Sequence, residues 1–90
     1  MNAPSFHDQT VWITGASGGL GEALAHAFHA AGARLILSAR REAELARVAH
    51  DVADGPGEVV AVPLDLADPA SIKKAAEAVL VRPGGIDLLV

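Results

Sequence analysis

Residues 10–21 of the chain read TVWITGASGGLG. The first part, Thr10–Thr14, is short, apolar at its centre and rich in β-branched residues, which is typical of a strand buried on both faces. A glycine cluster follows at once. Beyond it, apolar residues recur at helical spacing: Leu20, Leu24, Phe28 and Ala31. We therefore predict a strand, a glycine-rich turn and an amphipathic helix that ends at Gly32.

The remainder of the chain repeats this alternation of strand and helix patterns. Apolar runs predict further strands at Arg34–Ala39, Glu58–Leu64 and Ile86–Val90. Helical spacing predicts one helix at Glu42–Val52 and another that carries Ile72, Ala75, Ala76, Val79 and Leu80. Asp68 is the predicted N-cap of this last helix and Pro69 its first residue. The loops Asp54–Gly57 and Arg82–Gly85 are predicted to end the two helices.

The order βαβαβαβ with short connections predicts an α/β fold of the Rossmann type, a parallel sheet with helices on both faces. This is part of a doubly wound fold, for which the expected strand order is 3-2-1-4. Pro63 lacks an N–H group, which agrees with strand three at the edge. We expect residues 1–90 to be the N-terminal part of a single dinucleotide-binding domain that breaks off within strand four.

Composition excludes several classes of protein. The net charge is -4 and the basic residues are scattered, so nucleic acid is not an expected partner. There is no cysteine, no long apolar run and no signal-like N-terminus, and we therefore expect a cytoplasmic protein without membrane contact. Glu22, His26 and His29 share a helix face, but no fourth ligand is evident and we expect no metal site.

The glycine cluster lies where a strand passes into a helix, so backbone N–H groups and the helix N-terminus can face a pyrophosphate. Gly15 permits the tight turn, Gly19 lets a phosphate approach the backbone, and Gly21 lets the helix pack closely on the strand. The cluster therefore predicts a dinucleotide-binding site.

The end of strand two indicates which dinucleotide binds. NAD-binding domains carry an acid there, about twenty residues beyond the glycines, to bind the ribose 2′-hydroxyl. This chain has Ala39, followed by Arg40 and Arg41. A guanidinium suits a 2′-phosphate, which favours NADP, with NAD as the second choice. The alternative for the arginines, more so for Arg41, is pairing with Glu42 or Glu44.

TGASGGLG resembles the Thr-Gly-x-x-x-Gly-x-Gly motif of classical short-chain dehydrogenases/reductases, and SARR, LDL and GGIDLLV follow in that family's order. The loop also fits Gly-x-x-Gly-x-x-Gly, the spacing of the extended, epimerase-like branch. By this resemblance Asp65 accepts from the adenine amine and Leu66 flanks the ring, although Asp65 also suits a plain turn. The cofactor contacts that it implies are Gly15, Ser17, Gly18, Gly19, Leu20, Gly21, Ser38, Arg40, Arg41, Asp65 and Leu66.

The resemblance implies hydride transfer between NADP(H) and a small carbonyl or alcohol substrate, and a homo-oligomer for the complete protein. The family's catalytic tyrosine, lysine and serine are expected beyond Val90, and the chain has no tyrosine. No catalytic residue is therefore assigned, and the segment alone is expected to be inactive. The alternative function is a non-catalytic nucleotide-binding module. An S-adenosylmethionine site is disfavoured because Ala39 stands where such sites carry an acid.

Overall fold

A computed structural model describes residues 5–54, 57–82 and 84–90. Strands and helices alternate along the whole of it. In chain order they are β1 (Thr10–Thr14), α1 (Gly19–Ala30), β2 (Arg34–Ser38), α2 (Glu42–Val52), β3 (Val59–Ala61), α3 (Pro69–Leu80) and β4 (Leu88–Leu89). The predicted order of elements is confirmed. Gly55, Pro56 and Pro83, which belong to the two predicted loops, lie outside the described residues.

The four strands form one parallel sheet in the order β3-β2-β1-β4. β1 pairs in register with β2, so that Thr10 lies opposite Arg34 and Thr14 opposite Ser38. The predicted Rossmann-type topology and the edge position of β3 are both confirmed. As a result, the carboxyl ends of β1, β2 and β3 lie side by side at one edge of the sheet.

The outer strands are shorter than predicted. β3 ends at Ala61 instead of Leu64, and β4 covers only Leu88 and Leu89 instead of residues 86–90. β2 likewise ends at Ser38, one residue early. The N–H group of Val62 still donates to Leu37 of β2 at 2.8 Å, and that of Leu64 donates to Ala39, just beyond β2, at 3.0 Å. Pro63 lies between them on the unpaired side, where its missing N–H group costs no ladder bond.

Side chains alternate between two apolar layers, one on each face of the sheet. Val11, Ile13, Leu35 and Leu37 pack against α1 and α2, whereas Trp12 and Ile36 pack against Ala75 and Val79 of α3. α2 buries the predicted residues Leu45, Val48 and Val52, with Ala49 packed beside them.

The buried faces of α1 and α3 are narrower than predicted. Leu20 is 76% exposed, because it lies in the first turn of α1, ahead of the part that packs on the sheet through Ala25. Ile72 and Leu80 are also exposed, and only Ala75 and Val79 of α3 are buried.

The predicted end of α1 and the predicted start of α3 are both confirmed. Gly32 follows the last turn of α1 with a φ of +96°, a left-handed conformation that favours glycine. The Asp68 carboxylate accepts a hydrogen bond from the Ala70 N–H at 3.0 Å, and Pro69 starts α3. Among the described residues no helix is long and apolar enough to cross a membrane, and no group of three or more histidines and carboxylates could hold a metal ion.

Candidate functional site

The turn between β1 and α1 is built on glycine. Gly15 has a φ of +65°, and its carbonyl oxygen accepts from the Gly18 N–H at 3.1 Å. A Cβ atom on Gly21 would overlap that same carbonyl oxygen. The Ala16 N–H donates to the Ser38 carbonyl oxygen at 3.0 Å, which ties the turn to the end of β2. The predicted tight turn and the close packing of α1 are therefore both present.

The N-terminus of α1 is open. Gly18 is the N-cap residue and provides no side-chain hydrogen bond to the first turn. A Cβ atom on Gly19 would meet no heavy atom within 4 Å, so the space beside this residue is empty of protein. The free N–H groups and positive dipole end of a helix attract an anion to such a space.

A cleft of about 440 Å³ lies at the carboxyl ends of β1, β2 and β3. It brings together seven of the predicted contact residues: Gly15, Ser17, Gly18, Ser38, Arg40, Asp65 and Leu66. Gly19, Leu20, Gly21 and Arg41 are not part of its lining. A crevice at the carboxyl ends of parallel strands is where doubly wound folds bind their ligands.

Among these lining residues, Ser38 differs in being fully buried. Ser38 is 0% exposed, and its Oγ accepts a hydrogen bond from Trp12 Nε1 at 2.8 Å. The hydroxyl group is therefore already bonded inside the fold, and the predicted contact of Ser38 with a cofactor stays a prediction.

Arg40 and Arg41 are both exposed. Within the described segments neither guanidinium forms a hydrogen bond or an ion pair. The expected competitor Glu44 pairs instead with Arg47, which also contacts Glu22 and Asp51. The hydrogen bond and charge of Glu22 raise the pKa of Arg47. The positive charge of Arg40 thus lies at the cleft without a counter-ion in the part of the chain that the structure describes.

Asp65 lies in a tight turn that follows β3. Its Oδ1 accepts from the Ala67 N–H at 3.0 Å, and its own N–H donates to Ser71 Oγ at 2.9 Å. The turn role that the sequence suggested is therefore present. The second carboxylate oxygen has no hydrogen bond among the described residues, so Asp65 retains an acceptor at the cleft. Its neighbour Leu66 is 66% exposed there.

Sequence reasoning missed three features of this site. Thr14 lines the cleft, and its hydroxyl donates to the Val90 carbonyl oxygen at 2.9 Å, joining β1 to β4. Ser71 holds the backbone of Asp65. The third feature is the buried hydrogen bond from Trp12 Nε1 to Ser38 Oγ. Only this bond had a signal in the sequence, since a buried indole N–H requires an acceptor on the same face of a neighbouring strand.

A larger cleft of about 560 Å³ lies between the open edge of β3 and α3. Its lining includes Glu42, Val62, Pro63, Lys74 and Ala78. The glycine turn takes no part in it, and Asp68 already caps the nearby helix N-terminus. The smaller cleft is therefore the candidate site, because the glycine turn meets there an arginine that has no ion pair among the described residues.

The family model described as short chain dehydrogenase matches residues 9–90. The chain is 46% identical over 94 residues to "Dehydrogenase/reductase SDR family protein 7-like" of Anopheles gambiae, covering 99% of this chain and 30% of that protein. It is 44% identical over 87 residues to human "Dehydrogenase/reductase SDR family member 7", covering 92% of this chain and 26% of that protein. The chain thus spans less than a third of the length of these relatives.

Solved structures with the same fold include two that contain a nicotinamide dinucleotide. A short chain dehydrogenase/reductase from Burkholderia phymatum in complex with NAD has a TM-score of 0.84 at 31% identity, covering 97% of this chain and 31% of that one. A 3-ketoacyl-(acyl-carrier-protein) reductase from Brucella melitensis complexed with NADH has a TM-score of 0.83 at 34% identity, covering 94% of this chain and 34% of that one.

Proposed function

This chain belongs to the short-chain dehydrogenase family, and on that premise we propose that it is the cofactor-binding portion of an oxidoreductase acting on a carbonyl or alcohol substrate. The observation that carries the proposal is the convergence of the glycine turn, Arg40 and Asp65 on one cleft. A bound nicotinamide dinucleotide would supply the hydride. The segment's own residues bind and orient that cofactor.

Each part of the cleft suits one part of a dinucleotide. The glycine turn and the open first turn of α1 offer N–H groups and space for a pyrophosphate. The unbonded carboxylate oxygen of Asp65 is an acceptor for an adenine amine, and exposed Leu66 offers an apolar surface for the ring. The assignment of these contacts rests on the family resemblance and on the shape of the cleft.

We propose that the cofactor is NADP in preference to NAD. An acid that would bind a free ribose 2′-hydroxyl is missing, since Ala39 stands in its place and is buried. Arg40 follows with an exposed guanidinium that no described carboxylate neutralises. A planar, permanently charged donor of this kind favours a phosphate over a hydroxyl.

The test is the dissociation constant of NADPH and of NADH, measured by calorimetry on the full-length protein. Arg40→Asp is expected to weaken NADPH binding by about tenfold to a hundredfold, because a charge-assisted hydrogen bond is replaced by repulsion. NADH binding should change little. Lys73→Asp makes the same charge reversal at an exposed residue of α3 that does not line the cleft. It should alter neither the NADPH nor the NADH dissociation constant. An unchanged ratio in Arg40→Asp would remove Arg40 from the 2′-phosphate site.

The catalytic apparatus is a separate matter. The chain has no tyrosine, so the proton donor that the family resemblance implies is not supplied by residues 1–90. We propose that these residues alone do not catalyse hydride transfer. We further propose a cytoplasmic location, which the absence of cysteine supports. We also propose that the complete protein is a homo-oligomer, for which exposed apolar residues such as Leu80 and Val81 are available.

A further inference from the structure

We propose that Trp12 and Ser38 are positioning residues, and that the hydrogen bond between them sets the placement of Arg40 and thereby the preference for a 2′-phosphate. Trp12 does not line the cleft, and Ser38, which does, is fully buried with its hydroxyl bonded to Trp12. The inference rests on the NADP preference proposed above, and it adds two residues that act on that preference from beneath the site.

The two side chains meet in the interior, between the two central strands. Trp12 of β1 is paired with Ile36 of β2, so Ser38, two residues further along β2, lies on the same face of the sheet. The Nε1–Oγ distance is 2.8 Å, with Trp12 9% exposed and Ser38 0% exposed. A hydrogen bond in this setting is well shielded from water and holds a defined geometry.

The backbone at Ser38 and Ala39 joins the separate parts of the cleft. The Ser38 carbonyl oxygen accepts from Ala16 of the glycine turn, and the Ala39 carbonyl oxygen accepts from Leu64, each at 3.0 Å. Leu64 directly precedes Asp65, and Ala39 directly precedes Arg40. A shift of Ser38 is therefore passed to the glycine turn, to Arg40 and to Asp65 together.

The chemistry of the pair allows positioning to be separated from stability. Removing one partner leaves the other buried without a hydrogen bond, which destabilises the fold. Removing both partners can be nearly neutral for stability, because no polar group is left unsatisfied. A protein without either group should therefore fold well, yet lack the link that holds the end of β2.

The experiment is a double-mutant cycle on the full-length protein with Trp12→Phe, Ser38→Ala and both together. Melting temperature is measured for each variant, and NADPH and NADH dissociation constants by calorimetry. Both single variants should melt lower than wild type, and the double variant should recover part of that loss. The ratio of NADPH to NADH affinity should fall by about threefold or more in all three.

Two further variants complete the design. Ser38→Thr keeps a hydroxyl acceptor and is expected to hold the wild-type ratio, which serves as the rescue and as a second variant should Trp12→Phe fail to fold. Ser5→Ala removes a serine from the exposed arm ahead of β1, at the opposite end of the sheet, and should change neither melting temperature nor ratio.

The outcomes distinguish this inference from the proposed function. If the wild-type protein prefers NADPH and the double variant keeps the full preference, the pair is only structural and the positioning role is overturned. The same holds if Ser38→Ala lowers the melting temperature without changing the ratio. If the wild type itself shows no preference, the NADP proposal fails, and the positioning role fails with it.

Discussion

A Cβ atom on Gly21 would overlap the carbonyl oxygen of Gly15. The first turn of α1 can therefore pack against the preceding loop only because Gly21 has no side chain. A Cβ atom on Gly19, the first residue of α1, would have no such neighbour within 4 Å. The two glycines are separated only by Leu20, but their surroundings differ. Gly21 is required by the fold, whereas no described protein atom requires the space beside Gly19 to be empty.

Gly21→Ala is therefore expected to destabilise the protein by about 1–3 kcal/mol, because the added methyl group forces α1 away from the turn. Gly19→Ala is the matched control and should leave stability equal or slightly higher, since alanine favours the helix. Urea denaturation of both variants measures the difference. Equal stabilities would mean that the packing at Gly21 is not as tight as the structure indicates.

Gly19→Val should remove cofactor binding without unfolding the protein. The side chain enters space that is free of protein atoms but that we assign to the pyrophosphate. We expect a circular dichroism spectrum and melting temperature close to wild type, with NADPH affinity reduced by about tenfold or more. A folded variant with near-normal affinity in calorimetry would contradict the assignment of the glycine turn.

Asp87, the residue before β4, forms two hydrogen bonds with Thr10 of β1. Its Oδ2 accepts from the Thr10 N–H at 2.8 Å, and its own N–H donates to the Thr10 carbonyl oxygen at 2.9 Å. Asp87→Ala leaves the N–H of buried Thr10 without its acceptor and should cost about 1–2 kcal/mol in free energy of unfolding. Asp87→Asn keeps an oxygen at this position and should lose less. If asparagine and alanine are equivalent in denaturation, the side-chain bond does not contribute.

Residues 1–90 expressed alone are expected to self-associate. Leu88 and Leu89 of the outer strand β4 are 38% and 60% exposed and Val90, which follows them, is 42% exposed. An apolar strand edge pairs readily with another chain. Light scattering over a range of concentrations should show a mass that rises, and Leu89→Lys should shift it towards the monomer. A monomer at every concentration would contradict this expectation, and reduction of a carbonyl by NADPH would contradict the predicted inactivity.

Much of the fold follows from local features of the sequence. The strand β1, the left-handed residue Gly32 and the Asp68–Pro69 start of α3 each depend on the chemistry of a few neighbouring residues, and all three are confirmed. The strand order also follows, because short right-handed crossovers leave few alternatives. The lengths of β3 and β4 were predicted less well, because a strand extends only as far as its partner continues to pair.

The sequence by itself therefore determined the order of elements and the loops that carry the candidate site. Only the tertiary structure decided how individual side chains are used. Ser38 follows an apolar run two residues before Arg40 and has the sequence context of a ligand contact, and its hydroxyl accepts a hydrogen bond from Trp12 inside the fold. Leu20 fits the apolar stripe of α1, yet is exposed. The physical reason is that the direction and neighbours of a side chain depend on register and on packing between elements distant in the chain, which local pattern does not contain.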